Sequence, residues 1–269
     1  MNLIDTHGHI SHFPKAQQAD VLKRARMAGV QKIINVACDL DQIDPHLELA
    51  KSDPDIWTTA GVHPTSLNHD LEEAIRQVYQ SAKNEKKVIA IGEIGLDYYH
   101  DKFPHEVQDE WLTRQLAIAT ELNLPAIIHC RAGKNPGENG TAFTDLFKIL
   151  KREQFSNAVI HCFSGTTQEA QALLDLGVMI SFTGVLSYKS NNALRETAAQ
   201  IPLERVMLET DAPYLTVESH RGQSGEPAYL PELAQVLADV KGVSVEKVAE
   251  ATTKNAEEFF GLARVDSRL

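Results

Sequence analysis

The chain has 269 residues, 43% of them apolar and 23% charged, which fits a folded globular protein and excludes a disordered chain. Against 26 basic residues stand 37 acidic ones, a formal charge of −11, so the surface as a whole repels phosphate and a general polyanion binder is excluded. No run approaches the roughly 18 uninterrupted apolar residues of a membrane span, and no basic stretch leads into an apolar one at the start, so a cytoplasmic protein without membrane contact is expected.

Eight short runs of β-branched and aliphatic residues, each ending in polar or glycine-rich sequence, follow one another along the chain. The first, NLIDTHGHI (2–10), carries His7 and His9 two residues apart, so both imidazoles point to one side of a strand, with Asp5 expected on the same side. KIINVAC (32–38) and IWTTAGVHP (56–64) follow, the second ending near His63. VIAIGEIGLD (88–97) brings Glu93, and a helix is expected over 106–123 from apolar positions three and four apart. PAIIHCR (125–131) ends with His129 and Arg131, AVIHCFS (158–164) with His161, VMISFTG (178–184) without a ligand residue, and RVMLETDAP (205–213) with Asp211. Beyond EPAYL, two or three closing helices are expected, the last stopped by Gly261.

Near-continuous apolar strands alternating with helices predict a parallel sheet covered on both faces, and eight such units fit an α/β fold of the (β/α)8 TIM barrel type, one domain over 1–269. An open doubly wound sheet is the alternative, weakened by the lack of GxGxxG after any early strand. Barrel enzymes place their sites at the C-terminal ends of the strands. There the predicted barrel gathers four histidines and two carboxylates, more than one tetrahedral catalytic zinc takes. Two ions about 3.5–4 Å apart, bridged by one carboxylate, fit better, and Glu93 is a candidate bridge.

The neighbours have plainer readings. Cys38, Cys130 and Cys162 form no CxxC pair and read as small buried hydrophobes, the last two turned away from the mouth because each follows a histidine. Arg131 shares the inward face of His129, either as a phosphate clamp or paired with Glu209 or Asp97. His12, His46, His69, His100 and His105 read as solvated. GxSxG, GxxxxGK[ST] and HExxH are absent from the sequence, which removes three common enzyme classes.

The set DTHGHI, GVHP, GEIGLDYY, LNLPAIIHCR, IHCFSG, ETDAPYL and HRG…EPAYL resembles the TatD family of metal-dependent deoxyribonucleases, amidohydrolase-like TIM barrels, from Met1 to about Leu262. The resemblance implies a divalent-metal phosphodiesterase that trims DNA, often single strands from the 3′ end. It implies one ion on His7, His9, Glu93 and Asp211 and a second on Glu93, His129 and His161, with Asp211 taking the proton of the attacking water. Zn, Mn, Mg and Ni all suit such donors.

The chain departs from the family pattern at Gly8, where a bulkier residue is usual, and at Thr65, where many members have a second histidine. It also departs at the loop RAGKNPGENG with Lys134, and at Gly225 in place of asparagine. The leading expectation is a deoxyribonuclease acting transiently on DNA, with His63, Arg131, Lys134 and Arg221 as phosphate contacts. A hydrolase of an aminoacyl-tRNA ester, amide or lactone is the second. A non-catalytic metal-binding protein is the third.

Overall fold

In a computed structural model, which describes residues 1–134 and 141–262, eight parallel strands pair in the order β1 to β8 with helices between them. The strands are β1 Leu3–Gly8, β2 Val30–Asn35, β3 Ile56–Ala60, β4 Val88–Asp97, β5 Ala126–Arg131, β6 Ala158–Ile160, β7 Met179–Phe182 and β8 Val206–Leu208. The helices are α1 Lys15–Met27, α2 Leu40–Ser52, α3 Leu71–Asn84, α4 His105–Leu122, α5 Ala142–Arg152, α6 Thr167–Asp175, α7 Asn192–Gln200, α8 Leu230–Lys241 and α9 Val245–Phe260. The architecture is the expected (β/α)8 barrel, and all eight predicted strands are present, although β6 and β8 hold only three residues each.

Local chemistry sets the helix ends. The Asp70, Thr141 and Ser244 side chains accept from the backbone N–H three residues on, and Thr166 with Glu169 forms a capping box at α6. Gly261 stops α9 in the left-handed conformation, φ 65°.

Two cores sandwich the sheet. Ile4, Ile34, Val36, Ala90, Ile127, Val159, Met179 and Met207 form one cluster, closed by Ala256, Phe260 and Leu262 at the end of α9. Because these residues come from seven of the eight strands, they fill the barrel interior, with α9 as the floor. The larger cluster lies between strands and helices.

Strand β8 meets β1 through its continuation: the N–H of Asp211 donates to His7 O at 2.8 Å and that of His9 to Ala212 O at 2.7 Å. Asp5 completes this seam. Its carboxylate accepts from the Thr210 N–H at 2.9 Å and the Thr210 hydroxyl at 2.5 Å, so it does not join His7 and His9 as strict alternation predicts. A register irregularity between Asp5 and Gly8 separates them. Complete burial pushes the Asp5 carboxyl up to about 7 despite those bonds.

Candidate metal centre

The ends of β1, β2, β4, β5, β6 and β8 converge on one cluster of buried donors. On β4, Ala90 faces the barrel interior, yet a register irregularity between Ile91 and Ile94 restarts the alternation, so that Glu93 and Asp97 both reach His129. Gly95 lies between them at φ 144°, and a Cβ there would stand 1.9 Å from His129 O, so glycine alone lets β4 approach β5 this closely.

Glu93 divides the cluster in two. Its Oε2 lies 3.4 Å from His7 Nε2, which lies 3.2 Å from His9 Nε2, which in turn lies 3.2 Å from Asp211 Oδ1. Its Oε1 faces the other way, 3.1 Å from His129 Nδ1, 3.5 Å from His63 Nε2 and 3.7 Å from His161 Nε2. A tetrahedral ion with bonds of about 2.0–2.1 Å holds its ligand atoms about 3.3 Å apart, which is the spacing on the first side. His9 Nδ1 donates to Val36 O at 2.7 Å, so neutral His9 presents a lone pair to Asp211 and His7. Acceptors facing acceptors require positive charge between them, and the donor set fits divalent ions.

Protons supply that charge when ions do not. Burial opposes the charged form of Glu93, but His63, His161 and His7 hold it well below the usual carboxylate range. Burial likewise opposes charge on His161, yet Glu209 and Glu93 draw its proton affinity up to about 10. The same contest on His9 ends with its affinity raised by Asp211. Burial wins on His7, which is lowered.

A second layer orients the histidines. Asp97 Oδ2 lies 3.1 Å from His129 Nε2, and its Oδ1 accepts from the N–H groups of Tyr99 and His100. Glu209 Oε1 lies 2.9 Å from His161 Nδ1, at an oblique angle, and accepts from the Cys162 N–H at 2.6 Å. Carboxylates behind imidazoles fix the ring and raise ligand basicity. Asp97→Asn and Glu209→Gln are each expected to weaken metal binding by ~10–100-fold, as read by competition with a chromogenic chelator, with little change in far-ultraviolet dichroism.

Several expectations are corrected. Cys38 is no bland hydrophobe: its thiol donates to Glu93 Oε2 at 3.2 Å, inside the cluster. Its spacing of two from Val36, an interior residue, was the available signal. Cys162 does not turn toward the helices; β6 ends at Ile160, Cys162 takes φ 46°, and its sulfur sits 3.2 Å from Thr183 Oγ1. His46 is buried, donating from Nδ1 to Gln42 O at 2.6 Å, and burial lowers it to about 3. His12 is half-buried and stacks on His9, ring centroids 5.0 Å apart. Asp97 and Glu209 were missed as orienting groups, although each lies on the face of a candidate ligand, four residues after Glu93 and two before Asp211.

Of the expected phosphate contacts, His63 borders the cluster. Its Nδ1 accepts from the Thr65 N–H at 3.2 Å and lies 2.8 Å from the Thr65 hydroxyl, so neutral His63 carries its proton on Nε2, aimed at the site. Arg131 makes no ion pair with Glu209 or Asp97 among the described residues; it is exposed and stacks on Tyr99 at 3.9 Å, with Lys134 Nζ 5.0 Å from the same ring. Arg221 is held elsewhere, over Tyr188 and 3.5 Å from Glu218. The rest of the glycine-rich loop, 135–140, lies outside the described residues. At Gly225 a Cβ would stand 1.7 Å from Leu215 O, so the family's asparagine does not fit this backbone, whereas at Gly8 a Cβ meets only ordinary contacts.

The motifs, the barrel and the donor cluster point the same way as comparison with known proteins: residues 4–261 match the family model described as TatD related DNase. The chain belongs to that family. An uncharacterized metal-dependent hydrolase of Bacillus subtilis, YabD, is 34% identical, over 96% of this chain and 98% of its own. A TatD protein of Pantoea ananatis, described as a 3′-5′ ssDNA/RNA exonuclease, is 36% identical over 90% of this chain and 92% of its own. Among solved structures, the TatD homolog YjjV of Escherichia coli K12 superposes with a TM-score of 0.89 at 31% identity, covering 96% of this chain and 98% of that one. This TatD-family chain is accordingly a metal-dependent hydrolase, and its histidine and carboxylate clusters are able to hold metal. Among the described residues no helix is long and apolar enough to cross a membrane.

Proposed function

We propose that this enzyme cleaves phosphodiester bonds in DNA, with single strands as the preferred form, by a two-metal mechanism. The observation that carries the reading is Glu93, whose two oxygens face two separate groups of histidines. His7, His9, Glu93 Oε2 and Asp211 would hold one ion, and Glu93 Oε1, His129 and His161 the other. Bound ions lower the pKa of water and offset charge on the phosphate in the transition state.

The protein's own groups complete the chemistry. Asp211, ionised and beside His9, would take the proton of the attacking water. His63, with its proton on Nε2, donates to a phosphate oxygen, and Arg131 with Lys134 holds the strand's phosphates. The −11 net charge favours transient contact: local cations seat the substrate while the remaining surface repels it.

The test is digestion of short strands labelled at either end, by chelator-stripped protein restored with graded Zn²⁺, Mn²⁺, Mg²⁺ or Ni²⁺. Loss of label from the 3′ end with up to two ions per chain is the expected result. Hydrolysis of an aminoacyl ester without DNA loss would overturn it.

A further inference from the structure

Four large apolar side chains are exposed among the described residues: Met1, Met27, Tyr99 and Tyr214. The methionines precede β1 and β2, at the closed end of the barrel. Both tyrosines follow strands that end at the metal centre, Tyr99 after β4 and Tyr214 after β8. In an eight-membered ring ordered β1 to β8, those strands stand opposite one another. The donor cluster therefore lies between two aromatic rings.

The rings are held differently. Tyr214 is 63% exposed, its hydroxyl is hydrogen-bonded to His12 Nδ1 at 2.7 Å, and its ring meets His9 edge-on with centroids 5.4 Å apart. No cation lies over it among the described residues. Tyr99 is anchored through its N–H to Asp97 Oδ1 and carries the exposed Arg131 guanidinium at 3.9 Å, with Lys134 beside it. Among the described residues, one rim is an aromatic platform with no lysine or arginine over it. The other is an aromatic and guanidinium platform with two cations.

We propose that these rims are the two base subsites of a single-stranded substrate, Tyr214 stacking the terminal base that leaves and the Tyr99–Arg131 pair stacking its neighbour in the retained strand. The assignment rests on the phosphodiesterase reading above and follows from charge. The retained strand continues with further phosphates and takes the cationic rim, whereas the leaving nucleotide brings only the phosphate at the centre. Stacking requires bases free of a duplex, so the two rims also select single strands.

The experiment uses single strands with an abasic tetrahydrofuran residue at the terminal or penultimate position of the digested end, at saturating metal and subsaturating strand. Each missing base is expected to lower kcat/KM of the parent by about 5–150-fold, the worth of one stacked base. Tyr214→Ala is expected to abolish the terminal penalty and keep the penultimate one, and Tyr99→Ala to do the reverse, while Tyr214→Phe and Tyr214→Trp restore the parent pattern. Unchanged penalties in both alanine variants overturn the subsites, and exchanged penalties overturn their assignment. A parent that digests no strand at all overturns the phosphodiesterase reading itself, a result distinct from either.

Discussion

Glu93→Gln is expected to lower phosphodiester hydrolysis by at least about a thousandfold, roughly 4 kcal/mol of transition-state stabilisation. Glutamine keeps the shape of the side chain, so the fold should survive, as circular dichroism will report. It replaces one carboxylate oxygen by a donor, and only one of the two sides can still find an acceptor. The charge that balances His7 on one side and His129 and His161 on the other also disappears. Metal content, measured by plasma mass spectrometry after gel filtration, should fall from the proposed two ions per chain to one or none. Parent-like hydrolysis with parent-like metal content would sink the two-ion reading.

Asp211→Asn carries the second large effect, ~10²–10⁴-fold, because it would remove both a proposed ligand and the proposed proton acceptor. The two roles separate by titration. At metal concentrations that restore full occupancy, a residual loss measures the acceptor alone. Burial works against the ionised form of Asp211, but the His9 hydrogen bond and the charges on His161 and His9 hold its carboxyl below the ordinary range. The parent therefore keeps this acceptor ionised at neutral pH, and its protonation on acidification begins below the usual carboxylate pKa. A variant as fast as the parent at full occupancy would remove Asp211 from the proton-transfer step.

The barrel was legible because its signals are local. Eight runs buried on both faces must be apolar throughout, and the helices between them show their caps and glycine stops in the sequence. His129 and His161 follow interior residues by two, so simple alternation places them correctly. Glu93 and His7 do not obey the rule: Ala90 and Ile4 face the interior, and irregularities in β4 and β1 reset the count before the ligands appear. Both were still named from the sequence, because each sits at the polar end of an apolar run, and the family likeness agreed with that placement.

What escaped the sequence depends on contacts between strands far apart in the chain. Cys38 becomes part of the cluster only because β2 sits beside β1 and its thiol reaches Glu93. Glu209 acquires its role from His161 across 48 positions, and Asp97 from His129 across 32. His46 looked like a solvated helix residue until α2 packed it against the barrel.

By itself the sequence determined the element order, the parallel barrel and the identity of the candidate ligands, because each follows from burial, capping and spacing within one segment. The tertiary structure alone showed which oxygen of Glu93 faces which histidines, which groups orient them and where Arg131 and Lys134 lie. Those are distances between strand ends, set when the sheet closes and β8 meets β1, and no local pattern encodes them.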